Sequence, residues 1–337
     1  MDNLTHTLTA VAISHAGLNR KTRFATLAVI LGANLPDIDL VARLDSSATY
    51  LKYHRGITHS ILGMTVLAVL LAGVMHALGR RARPKAGLTP NGRWLLLAAW
   101  LGTASHLLMD FTNSYGVRPF LPFSGRWYAG DIMFIFDPLL LTLLILGLGF
   151  PAILRLVSEE VGARKPNLRR GAVFSLCALL ALWGLRTFAH RRVIEALESR
   201  TYLEQNPQSS GAFPSPSNPF EWTGVVETET SFFVQPVNAL DPDVNPEAAR
   251  VFRKPEPSSA LEAALKTHVG TIFSDFARYP WAQVEEGEEA YHISVRDLRF
   301  SSGLMRGGFV MDVDLDKNLR VRSESFSFSG PPGRQQR

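Results

Sequence analysis

The chain has 337 residues, 35 Lys and Arg against 30 Asp and Glu, a net charge of +5 and one cysteine. That length exceeds the usual single domain, so a membrane unit plus a water-soluble unit is expected, and the near-neutral mean hydropathy of +0.06 averages an apolar stretch reaching about residue 190 with a polar, Pro- and Ser-rich remainder. Lys and Arg fall in short clusters between apolar runs, which matches positive-inside sorting and argues against a nucleic-acid partner, while Cys177 stands alone inside an apolar run and excludes an intramolecular disulfide.

The first residues, Met1 to His6, lack a basic region, so they are expected to be retained rather than cleaved as a signal peptide. Two short apolar runs follow, Leu4 to Ala16 and Phe24 to Leu35. Both are short for a hydrocarbon core of about 30 Å and suggest a helical hairpin dipping into the membrane, or tilted helices packed on longer ones. Four stretches are long enough to cross: Ile57 to Leu78, Trp94 to Phe111, Ile132 to Leu156 and Gly171 to Ala189. The expectation is an α-helical integral membrane domain of four to six helices over residues 1–195.

Short-loop charge sets the orientation. Arg80, Arg81, Arg83, Lys85 and Arg93 follow the first long span, and Arg155, Arg164, Lys165, Arg169 and Arg170 follow the third. Both loops are expected to face the cytoplasm, as is the turn with Arg20, Lys21 and Arg23. The segments 36–56 and 112–131, and the chain beyond His190, then fall on the outer side of a bacterial inner membrane. Arg191 and Arg192 run against this orientation.

Pro207, Pro214, Pro216 and Pro219 stand among Ser, Asn and Gly, which suggests a linker over residues 196–220. Residues 221–330 are expected to form a small soluble α+β domain, mainly antiparallel β. Thr223 to Val234, Ala290 to Phe300, Gly308 to Asp314 and Leu319 to Phe328 carry strand-like alternation, and Ser258 to Phe276 carries one amphipathic helix. His268 and His292 are isolated there and are expected to be structural.

The chemistry-bearing residues lie in the first half: Leu35-Pro36-Asp37-Ile38-Asp39, then His54-Arg55-Gly56-Ile57-Thr58-His59-Ser60, then His106-Leu107-Leu108-Met109-Asp110. His106 and Asp110 are four apart on an expected helix, so they share a face and can share a metal. Taken alone, the pair reads equally well as a hydrogen-bonded couple across a helix interface. Asp37 and Asp39 alone suit an ordinary turn, and Thr58 suits the cap of the next span. Crossing order changes the balance, because it places Asp37, Asp39, His54, His59, His106 and Asp110 at the outer ends of their helices. His6 reaches the same side if the first hairpin is inserted. Ionisable groups at membrane depth are costly and mark functional sites. Imidazoles with carboxylates form a ligand set for zinc, with manganese or iron as oxygen-richer alternatives.

With Asn3-Leu4-Thr5-His6 added, these motifs resemble the membrane-bound metal-dependent hydrolase family of the YdjM type, described in some bacteria as LexA-regulated. The resemblance covers roughly residues 1–155. More distantly, the order His, Asp, His, then His-x-x-x-Asp is similar to the zinc-dependent phospholipase C and P1 nuclease group. That likeness implies one metal site from Asp37, His54 or His59, His106 and Asp110, with His6 near a second. No later His-x-x-x-Glu pair is present, so one or two ions are expected rather than three.

The expected mechanism is hydrolysis by metal-activated water. Asp39 is the first and Asp131 the second candidate for general base. Arg55 either grips a phosphate through its fork of donors or anchors to lipid headgroups. A site at bilayer depth suggests membrane lipids as partners and a lipid or lipid-linked phosphoester as substrate. The alternative is a non-enzymatic membrane protein, either a metal-ion carrier or a sensor with an extracytoplasmic β domain. Carriers place ionisable residues near mid-span and often show internal repeats, and neither is seen here.

Overall fold

The computed structural model describes residues 1–81, 88–161, 167–301 and 308–328. Arg83, Lys85, Arg164 and Lys165 of the expected basic loops lie outside these residues. The chain forms two compact units, Met1–Leu40 with Arg55–Thr187, and Val41–His54 with Phe188–Arg337.

The first unit is helical. Helix α1, Asn3–His15, starts at Asp2, whose carboxylate accepts the Thr5 N–H at 3.0 Å and so satisfies one of the open donors of the first turn. Helix α2, Ala25–Asn34, runs directly into a 3-10 segment, Leu35–Leu44. Together these make an apolar span of 20 residues, Ala25–Leu44, longer than the run expected from sequence. Pro36, Asp37 and Asp39 interrupt the apolar pattern there without ending the helical path. Helix α3, Ser47–Tyr53, belongs to the second unit. Helices α4 (Ile61–Arg81), α5 (Gly92–Phe111), α6 (Pro138–Glu160) and α7 (Leu168–Glu198) supply the remaining four candidate spans.

Small residues let α2 and α5 approach closely. A Cβ on Gly102 would stand 2.4 Å from the Val29 carbonyl oxygen, and one on Gly32 would stand 2.6 Å from that of Ala99. Ala10, Ala28, Ala33, Ala68, Ala72, Ala98 and Ala99 fill the surrounding core. Without a hydrophobic drive between helices in lipid, such close contact supplies the packing energy. A buried ion pair, Arg186 to Asp137 at 3.1 Å, ties α7 to the first turn of α6, where Asp137 also caps the Leu140 N–H.

The second unit carries two antiparallel four-stranded sheets. The first has the order β1 (Ser209–Pro214), β2 (Glu221–Glu227), β3 (Ser231–Asn238), β4 (Arg250–Arg253). The second has the order β5 (Pro280–Glu286), β6 (Ala290–Asp297), β7 (Val310–Asp316), β8 (Val321–Ser327). Trp222, Phe233, Tyr202 and the last turns of α7 form one core, and Phe213, Val225, Phe232 and Leu298 another.

Two expectations are corrected here. Residues 196–220 are not simply a linker, since they hold the end of α7 and strand β1, which pairs with β2 from Ser209 to Pro214. As an edge strand, β1 tolerates a terminal proline. The stretch 258–276 is two helices, α8 (Ser259–Leu265) and α9 (His268–Phe276). Thr267 starts the second by accepting the Gly270 N–H at 3.0 Å.

Candidate metal centre

Four segments of the first unit meet at one cluster. Asp37 lies on the 3-10 segment after α2, His59 ends a 3-10 turn (Ile57–His59) before α4, and His106 and Asp110 lie one turn apart near the end of α5. One ligand atom from each of these four lies within 4.8 Å of the others. His6, from the first turns of α1, stacks on His106 with ring centroids 4.0 Å apart.

Hydrogen bonds fix which nitrogen each imidazole offers. His106 Nδ1 stands 2.7 Å from the Ala33 carbonyl oxygen, an acceptor, so Nδ1 carries the hydrogen and the Nε2 lone pair points inward. The close passage of α2 past α5 at Gly32 and Gly102 brings that carbonyl within reach. His59 Nδ1 lies 3.1 Å from Asp39 Oδ2, which directs its Nε2 inward in the same way. The two Nε2 atoms are 3.0 Å apart. His59 Nε2 is 3.4 Å from Asp37 Oδ1 and 3.5 Å from Asp110 Oδ2, and His106 Nε2 is 3.5 Å from each.

Two inward lone pairs at that separation repel unless a proton or cation lies between them. Burial opposes charge on His59, but hydrogen bonds to Asp110, Asp37 and Asp39 outweigh it and raise its pKa to about 10. His6 goes the other way. Burial and the neighbouring His106 drive it down to about 3, so it stays neutral. Neither His6 ring nitrogen makes a hydrogen bond within the described residues, although Nε2 lies 3.4 Å from Asp110 Oδ1. Buried polar atoms left open this way call for a partner. With tautomers fixed by outer acceptors and carboxylates interleaved, the donor set fits a divalent cation such as zinc.

Asp39 and Arg55 stand behind the ligands. Asp39 Oδ2 accepts the Arg55 N–H at 3.0 Å and the Thr58 hydroxyl at 3.0 Å, besides facing His59. Thr58 therefore does not cap α4, and Ser60 does so by accepting the Gly63 N–H at 2.9 Å. Arg55 adopts φ +55°, a conformation that costs a non-glycine residue about 1–3 kcal/mol. Its Nε and NH2 groups meet Asp110 at 3.0 and 3.1 Å, and its NH1 donates to Asn113 Oδ1 at 2.8 Å and the Gly116 carbonyl at 3.2 Å. The guanidinium fork expected to grip a phosphate is thus committed to holding Asp110. The amino group of Met1 also meets Asp110.

His54 stacks its ring on Tyr50 at 4.5 Å. Asp131 is buried at φ +55° in the segment between α5 and α6 and is not among the ligand atoms that converge. Sequence reasoning missed Asn113, Gly116 and the Ala33 carbonyl. Only Asn113, three residues after Asp110, left a trace in the sequence.

The profile of the YdjM inner membrane protein family matches residues 1–193, which include every residue of the cluster. The chain belongs to the YdjM inner membrane protein family. In this chain Asp39, Arg55, Thr58 and Asn113 also lie inside the matched region. A relative beyond that profile, the uncharacterized protein YfhP of Bacillus subtilis strain 168, is 26% identical over 327 residues, spanning 94% of this chain and 88% of the relative. That match extends well into the residues after 193. No solved structure matches the chain.

Proposed function

We propose that the first unit is a metal-dependent hydrolase acting on phosphoesters at the outer face of the bacterial inner membrane. The carrying observation is the 3.0 Å approach of His59 Nε2 to His106 Nε2 between Asp37 and Asp110, with both outer nitrogens already facing acceptors. Asp37, His59, His106 and Asp110 would hold the ion, and His6 stands beside Asp110 as a further neutral donor. A divalent ion there supplies a water of lowered pKa and Lewis-acid polarisation of the ester oxygen.

The chain's own residues do the rest. Asp39 fixes the His59 ring and its tautomer, a task that replaces the general-base role expected for it. Arg55 holds both oxygens of Asp110 and offsets part of the anionic charge of the cluster. Burial of Asp110, His59 and His106 keeps bulk water away, which strengthens every electrostatic contact inside.

Metal analysis of detergent-purified protein, beside His106→Ala and Asp110→Ala, tests the centre. Stoichiometric metal in the wild type and its loss in both variants is the expected result, and a folded, metal-free wild type after zinc reconstitution would remove the basis of the proposal. Hydrolysis of bis(p-nitrophenyl) phosphate that disappears with chelator and returns with zinc is expected. Turnover indifferent to both chelator and His106→Ala would exclude this centre as its source.

A further inference from the structure

Four large apolar residues in or beside the cluster's segments turn outward. Ile38, between Asp37 and Asp39, is 56% exposed; Ile57, two residues before His59, is 50%; Leu108, between His106 and Asp110, is 55%; Phe111, following Asp110, is 40%. These side chains continue the apolar surface of the spanning helices. On α4, Leu62, Val66, Leu70, Val74 and Leu78 recur every fourth residue and all are exposed, and on α5 Leu96, Trp100 and Leu108 share one exposed face.

Depth points the same way. The 20 residues of α5 make a helix about 30 Å long, the thickness of the hydrocarbon core. Asp110 and His106 lie one and five residues from its end, hence roughly 1.5 and 7.5 Å inside the boundary. A soluble phosphoester would have to descend below the interface to reach them. A phosphate carried by a lipid is already held in the headgroup layer just outside that boundary.

We propose that the substrate is a phosphate-bearing membrane lipid that enters laterally, its chains lying over Ile38, Ile57, Leu108 and Phe111 while its phosphate reaches the Asp37, His59, His106 and Asp110 cluster. The proposal rests on the hydrolase reading for the group that reacts, and on the outward apolar side chains for the route.

The test uses the zinc-reconstituted full chain in phosphatidylcholine nanodiscs, photolabelled with phosphatidic acid carrying a diazirine in its acyl chain. The control is the matching diacylglycerol, which lacks the phosphate. Phosphatidic acid should label the segments bearing Ile38, Ile57, Leu108 and Phe111 roughly tenfold above the α4 stripe, whereas diacylglycerol should label both alike. Unlabelled phosphatidic acid should compete and inorganic phosphate should not. Ile38→Ser with Leu108→Ser should reduce the focused labelling with metal content retained, although the wild-type map decides alone if that variant misfolds. Even labelling by both lipids, or equal competition by inorganic phosphate, would overturn the proposal. Turnover of bis(p-nitrophenyl) phosphate alongside even labelling would sink the lipid route alone. Focused labelling without turnover of any ester would sink the hydrolase reading alone.

Discussion

Asp39 and His59 show how much of the site depends on one oxygen. Asp39 Oδ2 meets the His59 ring, the Thr58 hydroxyl and the Arg55 N–H, so Asp39→Asn removes charge and scrambles acceptors at once. Losing such an orienting partner typically costs about 10–100-fold in metal affinity, and competition with a chelator dye should report a loss of that size for Asp39→Asn while the fold persists. Arg55→Lys should also weaken the centre, because an ammonium cannot replace a fork held by both Asp110 oxygens. Without metal, the His59 pKa near 10 means that the folded chain favours protonated His59. The stability this contributes is present below the ordinary histidine range and is lost as pH rises through about 10. A metal must displace that proton, so affinity in the same assay should climb from mildly acidic to alkaline pH. The cluster was legible in the sequence because Asp37, His59, His106 and Asp110 each stand near a helix end. The roles of Asp39 and Arg55 were not, because they depend on partners 16 to 55 positions away.

At the scale of elements, the contact of α2 with α5 sets the site. His106 finds the Ala33 carbonyl only because glycines at 32 and 102 let the two backbones close up. Gly102→Val should push the helices apart, lower the melting temperature and reduce bound metal together. A variant that lost stability but kept full metal occupancy would show that the His106 bond does not depend on this contact. Hydropathy alone found α4 to α7, since each holds an apolar stretch long enough to cross. It undervalued α2, whose helical path continues through Pro36 and two aspartates, and it missed β1, whose Ser-Ser-Gly-Ala core has a linker's composition. The break between α8 and α9 was hidden because both helices keep the same apolar period, although Thr267 and Gly270 were its local signals.

For the whole molecule, orientation is the decisive question. In a Cys177→Ser background, a cysteine replacing the exposed Ser124, in the segment between α5 and α6, should react with an impermeant maleimide added to intact cells. Labelling only after lysis would move the site to the cytoplasmic side and remove the outer-face reading. The relation of cluster to topology carries one more consequence. His6, Asp37, His59 and the His106–Asp110 pair come from four separate stretches of chain, in a protein whose single cysteine allows no internal disulfide. A bound ion would be the cross-link this bundle otherwise lacks, fastening the cluster's end of it as a rivet fastens plates. Zinc at a hundred times its dissociation constant should then stabilise the fold by about 2.7 kcal/mol, and chelation should loosen α1 and the Leu35–Leu44 segment first in hydrogen exchange.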